Sequence, residues 1–404
     1  MDLGLLRHLH IIPSCDEPVC EAGPTDGNLR KLYLFELTTG LFFFLPVIVL
    51  FYIDNGLTFT EMMLLQSAFC VALMAFEVPS GYLSDNLGRR HTLMIGSSFL
   101  LAAVLLYSVG ATFWQFLVAE LFFAVFFAML SGTDSALAYD TLKCSGSQES
   151  FKGVWGKALY CNLLGLALAC LAGGIIGQIS YRHTFYAMMP VAALALVLSS
   201  SFKEPAFPKP KKRLTFAEVL THLRDNPLLC AVIAYSAAAE GMMHAGIWFI
   251  QPYLANAGMS ASRIGAAFAL VYLFSAAGSR LAARIREAVG PGILLAIPLI
   301  VSAAYMALSN IHAWWGILLF FAIFSSRGIV KVLLEDMANR PTPTKMRATV
   351  LSVKGLSERL VYAALLPIAG HIWDIYGMGP ALALLGAASA AFAAVAAVWV
   401  LLLR

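Results

Sequence analysis

Long apolar runs separated by short polar connections dominate the chain. A helix rising about 1.5 Å per residue needs about 20 apolar residues to cross a hydrocarbon core about 30 Å thick. Runs of that size lie at 31–53, 61–84, 92–110, 112–141, 154–178 and 183–202, and again at 228–254, 262–283, 290–309, 313–336, 348–372 and 378–403. The pattern predicts an all-α membrane protein with twelve transmembrane helices in two six-helix bundles related by pseudo-two-fold symmetry. Four segments follow: a polar N-terminal tail at 1–29, a first bundle at 30–202, a linker at 203–226 and a second bundle at 227–404. Within the linker, Thr215-Phe-Ala-Glu218 reads as a capping box opening a short helix. Phe216, Val219, Leu220 and Leu223 fall on one face of that helix, which suits a tether lying on the membrane surface or on the helix ends; a regulatory docking helix is the alternative.

Composition agrees. The 404 residues are 60% hydrophobic and 12% charged, where soluble domains carry about 25% charged residues. A net charge of +4 gives no reason to expect a nucleic-acid partner. The placement of the charges says more. Arg89, Arg90, Lys143, Lys152, Lys157, the basic linker, Arg280, Arg284, Arg286, Arg340, Lys345 and Arg347 fall in one set of connections, while the alternate set holds only Arg182 and Arg263. By the positive-inside rule the first set and both termini are expected in the cytoplasm. The first residues lack a continuous apolar core, so no signal peptide is expected. Four of the seven cysteines sit inside apolar runs as small packing residues, and Cys15 and Cys20, with His8 and His10, match no zinc spacing. No metal or cofactor is expected. Neither an HExxH pair nor a Walker-type loop is present, which argues against a membrane enzyme or an ATP-driven pump, and no long soluble segment offers a sensor's output domain.

The halves repeat weakly. Ser131-Gly-Thr-Asp-Ser-Ala-Leu-Ala-Tyr-Asp140 aligns with Arg327-Gly-Ile-Val-Lys-Val-Leu-Leu-Glu-Asp336, and a similar shift brings Gly81 close to Gly278 and Arg89 and Arg90 close to Arg286. Repeated halves place a substrate site between them near the midplane. Between the second and third spans stands Gly81-Tyr-Leu-Ser-Asp-Asn-Leu-Gly-Arg-Arg90, followed by His91-Thr-Leu93. It resembles the G-x-L-x-D-R-x-G-R-[RK]-x-x-L signature of the major facilitator superfamily, and the preceding Phe-Glu-Val-Pro-Ser80 resembles that family's bacterial drug and metabolite–proton antiporters. Physically, Gly81 permits close helix contact, Gly88 a tight turn, and Asp85 can sit beside the N-terminal end of a neighbouring helix. Arg89 or Arg90 can pair with Asp140. The resemblance implies that Asp85, Arg89 and Asp140 form a latch that holds the outward-facing state. Asn86 departs from the family's basic residue, and Gly278-Ser-Arg-Leu-Ala282 lacks the acid. Exporters of the family carry G-x-x-x-G-P-x-x-G-G in the fifth span; here Gly165, Gly173 and Gly174 remain but Ala169-Cys170 replaces the central Gly-Pro. Export is supported in part.

Ionisable side chains inside apolar runs need a reason, because each costs about 2.5–3.5 kcal/mol to insert. Ser236, Glu240, His244, Trp248 and Gln251 line one face of the seventh span, and Arg327, Lys331 and Glu335 one face of the tenth. Glu120, Ser131 and Asp134 share a stripe of the fourth, and Glu36 lies in the first. The resemblance implies that these four spans line a central cavity. Glu240 is the first candidate for proton coupling, with substrate contact or a structural ion pair as alternatives; His244, Glu36 and Asp134 follow. Arg327, Lys331, Trp248 and Gln251 are candidates for substrate or counter-ion contact. Phe42, Phe43 and Tyr253 are candidates for an apolar cavity wall, with packing as the alternative. Glu77, Glu358 and Arg359 read as structural pairs near the cytoplasmic ends. The expected activity is proton-coupled export of an amphiphilic small molecule by alternating access, with proton-coupled uptake of a polar nutrient as the rival. A monomer in the bacterial inner membrane is what the resemblance implies.

Overall fold

A computed structural model describes residues 26–205, 216–343 and 346–402. The tail residues His8, His10, Cys15 and Cys20, and the Thr215 end of the capping box, lie outside the described residues. Among the described residues all regular structure is helical. In the first part of the chain the helices are α1 (Asp26–Gly40), α2 (Ile48–Asp54), α3 (Phe59–Leu87), α4 (Arg89–Val109), α5 (Phe113–Leu130), α6 (Thr133–Cys144), α7 (Phe151–Gly177) and α8 (His183–Ser201). After the short α9 (Phe216–Asp225) come α10 (Pro227–Ala245), α11 (Ile247–Asn256), α12 (Ala261–Val289), α13 (Ile293–Asn310), α14 (Ile317–Asn339), α15 (Arg347–Tyr376) and α16 (Met378–Leu402). Ten helical stretches among the described residues are long and apolar enough to cross a membrane. The chain is thus an all-helical, multi-pass membrane protein.

Three expected spans are interrupted, each where the backbone demands it. Between α1 and α2 the chain runs through Leu41-Phe-Phe-Phe-Leu-Pro46 in tight turns; Pro46 has no N–H to give and biases Leu45 away from helix. Gly132 adopts φ +76° between α5 and α6, a left-handed conformation that costs glycine nothing. Gly246 separates α10 from α11, with the Tyr305 hydroxyl filling the space a Cβ would occupy. Arg182, one of the two basic residues on the sparsely charged side, caps a helix: it donates to the carbonyls of Ser108 at 3.1 Å and Gly110 at 2.7 Å, at the C-terminal end of α4.

Packing repeats along the chain. Helix α1 lies on α7 and α8, α3 on α5, and α4 on α5 and α8; in the same pattern α10 lies on α15 and α16, α12 on α14, and α13 on α14 and α16. The α3–α15 and α7–α12 contacts join the two sets. Glycine seams let backbones touch: a Cβ at Gly278 would stand 2.1 Å from the Ser325 carbonyl oxygen, and one at Gly328 2.0 Å from that of Ser275.

The joined sets are sealed at the end remote from the 81–93 motif. There the Asp374 carboxylate accepts from the N–H groups of Phe59 at 2.9 Å and Thr60 at 2.8 Å, and Phe59 stacks on Trp373 at 4.0 Å. At the motif end, Cβ atoms at Gly81, Gly153, Gly156 and Gly355 would meet nothing within 4 Å. The expected close helix contact at Gly81 is therefore absent in this state, although one turn earlier Glu77 of α3 still reaches Arg359 of α15 at 2.6 Å. These contrasts predict that Gly328→Val, which overpacks the α12–α14 seam, costs about 1–3 kcal/mol and lowers the thermal midpoint of the detergent-solubilised protein. Gly156→Ala, in open space on α7, should leave the midpoint unchanged or raise it; equal losses from both would contradict the seam.

Candidate functional site

Between the two sets of helices lies a cavity of about 690 Å³, within the range of about 300–1,000 Å³ usual for small-molecule sites. Its wall on the first set is aromatic. Phe42 and Phe127 lie 5.6 Å apart, Phe44 and Phe123 5.5 Å apart, and Phe69 packs edge-on against Phe127. Of the other expected wall residues, Tyr253 is buried elsewhere, its hydroxyl donating to the Ile311 carbonyl at 2.8 Å. Phe43 is a backbone neighbour of Gly173 on α7.

The charged groups form separate centres. Glu36 on α1 is 3% exposed and accepts from the Asn162 amide of α7 at 3.2 Å through one carboxylate oxygen; its other oxygen has no partner. Asp134 faces Glu36 closely enough to interact with it and accepts from the N–H of Ser135 at 2.6 Å. The break at Gly132 is what turns Asp134 off the α5 stripe and toward α1. Neither acid forms an ion pair among the described residues. Glu240 on α10, by contrast, accepts from the Arg327 guanidinium of α14 at 2.7 Å, while its second oxygen is buried without a partner. His244 stacks on Tyr362 at 4.7 Å, and the Trp248 indole N–H donates to the same Tyr362 hydroxyl.

Several sequence expectations need correcting. Gln251 does not face the cavity: it accepts from the N–H of Val49 at 2.8 Å and donates to the Leu45 carbonyl at 3.0 Å, binding the turn between α1 and α2 at the sealed end. Lys331 is exposed and stands outside the cavity lining. Glu358 and Arg359 pair as expected but also line the cavity. Glu358 accepts from Lys354 at 2.6 Å and from Ser236, and Arg359 reaches across from α15 to Glu77 of α3 at 2.6 Å. Both stand in the cavity because α15 and α3 cross there. The sequence puts Glu120 on the cavity stripe of the fourth span without assigning it a role, and the structure places it in the lining. Its carboxylate accepts from Tyr107 at 2.6 Å, Tyr52 at 2.8 Å and Gln66 at 3.0 Å, at the cavity wall. An acid in the middle of an apolar run was the available signal.

At the motif, Gly88 makes the turn from α3 to α4 with φ +96°. Arg89 donates to Asp85 at 2.8 Å and to Asp140 at 3.3 Å, drawing α3, α4 and α6 together. The N-terminal end of α4 is occupied by Glu204, whose carboxylate accepts from the N–H groups of Arg89 at 2.6 Å and Arg90 at 2.7 Å. Asp85 takes the side chain of Arg89, the first residue of α4. The second set repeats the pair, with Arg286 and Asp336 at 3.1 Å.

The family model of the Major Facilitator Superfamily matches residues 33–357. An uncharacterised MFS-type transporter of Methanocaldococcus jannaschii is 22% identical over 82% of this chain and 87% of that protein. The quinolone resistance protein NorA of Staphylococcus aureus is 25% identical over 41% of this chain, a stretch that spans 42% of NorA. Among solved structures, a mutant form of the nucleoside transporter NupG superposes with a TM-score of 0.78 at 10% identity, covering 93% of this chain and 99% of that one. With the family model matched over most of its length, the chain belongs to the major facilitator superfamily and is a membrane transporter, not an enzyme.

Proposed function

We propose that the chain exports an amphiphilic small molecule in exchange for protons, by alternating access across a bacterial cytoplasmic membrane. The observation that carries this reading is a cavity with an aromatic wall that holds an acid pair without a base, Glu36 and Asp134, and that lies between sets of helices tied together at the end remote from the motif. The partial similarity to NorA adds support for export.

The α1–α2 stretch and α15 join the ten apolar stretches as spans to make twelve, divided at 203–226 into bundles at 30–202 and 227–404. The paired packing patterns of the two sets support that division. The basic motif end faces the cytoplasm, with the 1–29 tail and the C-terminus. In that orientation the cavity is open inward.

Two neighbouring carboxylates in a low-dielectric site resist carrying charge together, so the pair suits a proton bound in one state and released in another. Glu240 is held in a different way: Arg327 neutralises it, and a substrate or a shift of α14 against α10 frees it to take part. We assign the coupling proton to Glu36 and Asp134, with Glu240, Arg327 and His244 as the responding centre. The Asp85–Arg89–Asp140 cluster, with Gly88 and Arg90, ties the motif end of the first bundle so that it moves as one body. The transporter acts as a monomer.

In everted vesicles with an acid lumen, a transported compound should release lumenal protons from the wild type. Glu36→Gln and Asp134→Asn should each abolish that release. Undiminished release in both would remove the acid pair from coupling, and a response only to polar compounds in right-side-out vesicles would replace export with uptake. A second expectation concerns Glu240→Gln, which leaves Arg327 without its partner at a cost of about 3 kcal/mol, read as a lower thermal midpoint. The double variant Glu240→Gln/Arg327→Gln should recover most of the loss. A single variant as stable as the wild type would show the pair to be dispensable.

A further inference from the structure

Helix α12 turns one side to α14, where Gly278 meets the Ser325 backbone and Ala282 is fully buried. Arg286, near that packed side, takes Asp336 at 3.1 Å. Two further arginines lie on the other side. At about 100° per residue, Arg280 and Arg284 fall about 160° and 120° around the helix from Gly278. Both side chains are exposed, and among the described residues neither forms a hydrogen bond or an ion pair. Glu287, the next acid along that side, is exposed too and pairs with neither arginine.

The depth of the two arginines is informative. Arg263, exposed near the start of α12, marks the sealed end of its apolar stretch. From there the helix rises about 26 Å to Arg280 and about 32 Å to Arg284, against a hydrocarbon core about 30 Å thick. Arg280 thus stands at the edge of the hydrocarbon and Arg284 among the head groups. Leu270, Leu273 and Ala277 are exposed on the same side, deeper in the bilayer. The fold does not require the charges. The shift that sets Gly81 on Gly278 puts Leu83 and Leu87 of α3 at the places of Arg280 and Arg284. Nor does orientation require them on one side of a helix, since the positive-inside rule counts bases in a connection and is indifferent to their facing. A guanidinium fork matches phosphate oxygens, and the cytoplasmic leaflet supplies anionic phospholipids to basic groups beside a span. A zwitterionic head group would bring its own cation against both arginines.

We propose that Arg280 and Arg284 hold the phosphate of an anionic phospholipid of the cytoplasmic leaflet, whose acyl chains lie along Leu273 and Ala277. The choice of leaflet rests on the orientation proposed above, with the motif end in the cytoplasm. The site itself rests on α12 alone. It lies outside the cavity, and its lipid is a resident of the surface, distinct from the transported molecule.

Native mass spectrometry of the purified, delipidated full chain in detergent tests this, with phosphatidylglycerol and phosphatidylcholine of the same acyl chains as probes. Wild type should hold the first phosphatidylglycerol at least about tenfold more tightly than phosphatidylcholine. Arg280→Gln/Arg284→Gln should lose most of that preference. Lys152→Gln/Lys157→Gln, which removes as much charge from the exposed motif end of α7, should keep it. Equal binding of the two lipids by wild type, a comparison that needs no variant to fold, would overturn the proposal. So would an equal loss in both double variants, the mark of surface charge without a site. Glycerol phosphate in excess should leave the lipid bound; displacement by it would reduce the site to a phosphate site and remove the lipid. The readings fail separately. Reaction of Ala288→Cys with an impermeant thiol reagent in intact cells, with the native cysteines replaced, would overturn the orientation and the leaflet while leaving the micelle result untouched. Vesicles that exchange protons for a compound, without any lipid preference in micelles, would leave transport and remove the lipid site.

Discussion

An ionised side chain inside a bilayer costs about 2.5–3.5 kcal/mol even on lenient scales, and the arrangement of these helices follows from where such charges are put. Every acid described above lies at the cavity, at a helix end or against a base. Helix α15 shows the consequence. With Lys354, Glu358, Arg359 and Asp374 along its 30 residues it is too polar to face lipid all round. It packs against α3 and α10 instead, lending its charges to the cavity and its Asp374 carboxylate to the N–H groups that open α3.

The same economy of contacts explains the asymmetry between the two ends. At the sealed end the joining interactions are short-range and specific: Asp374 with Phe59 and Thr60, Gln251 with the turn before α2, and Phe59 stacked on Trp373. Toward the motif end one ion pair described, Arg359 with Glu77, still joins the sets; beyond it the pairs stay within one set of helices, as Arg89 does with Asp85 and Asp140 and Arg286 with Asp336. Such pairs hold each set together without joining one set to the other. Rigid sets sealed at one end and parted at the other are the geometry that alternating access requires.

Much of this was legible in the sequence, and the rest fails for identifiable reasons. Apolar runs marked nearly all the long helices, because the bilayer leaves a helix no other length. The interruptions at Pro46, Gly132 and Gly246 were hidden inside those runs, since hydropathy is blind to the backbone conformation of single residues. The missed break at Gly132 had a consequence at the site: it turns Asp134 to Glu36, a pairing between distant segments that no local spacing announces. Glu240, with an ion pair among its readings, and Arg327, as a counter-ion, were both picked out, but no local spacing could say which acid Arg327 would take. Gln251 was placed in the cavity because it shares a helical face with Glu240, and the new helix beginning after Gly246 carries it to the seal. Glu204 as the cap of α4 lay in a segment that read only as the start of a linker.

The most direct test of the account is the distance between spin labels at Gly81→Cys on α3 and Gly355→Cys on α15, with the native cysteines replaced, in reconstituted membranes. Both positions face open space in the present state. Alternating access predicts two distances, a longer one for this arrangement and a shorter one for its opposite, whose proportions change with pH and with bound compound. A single long distance under all conditions would contradict it, and would leave the parted motif end as a fixed feature of the fold.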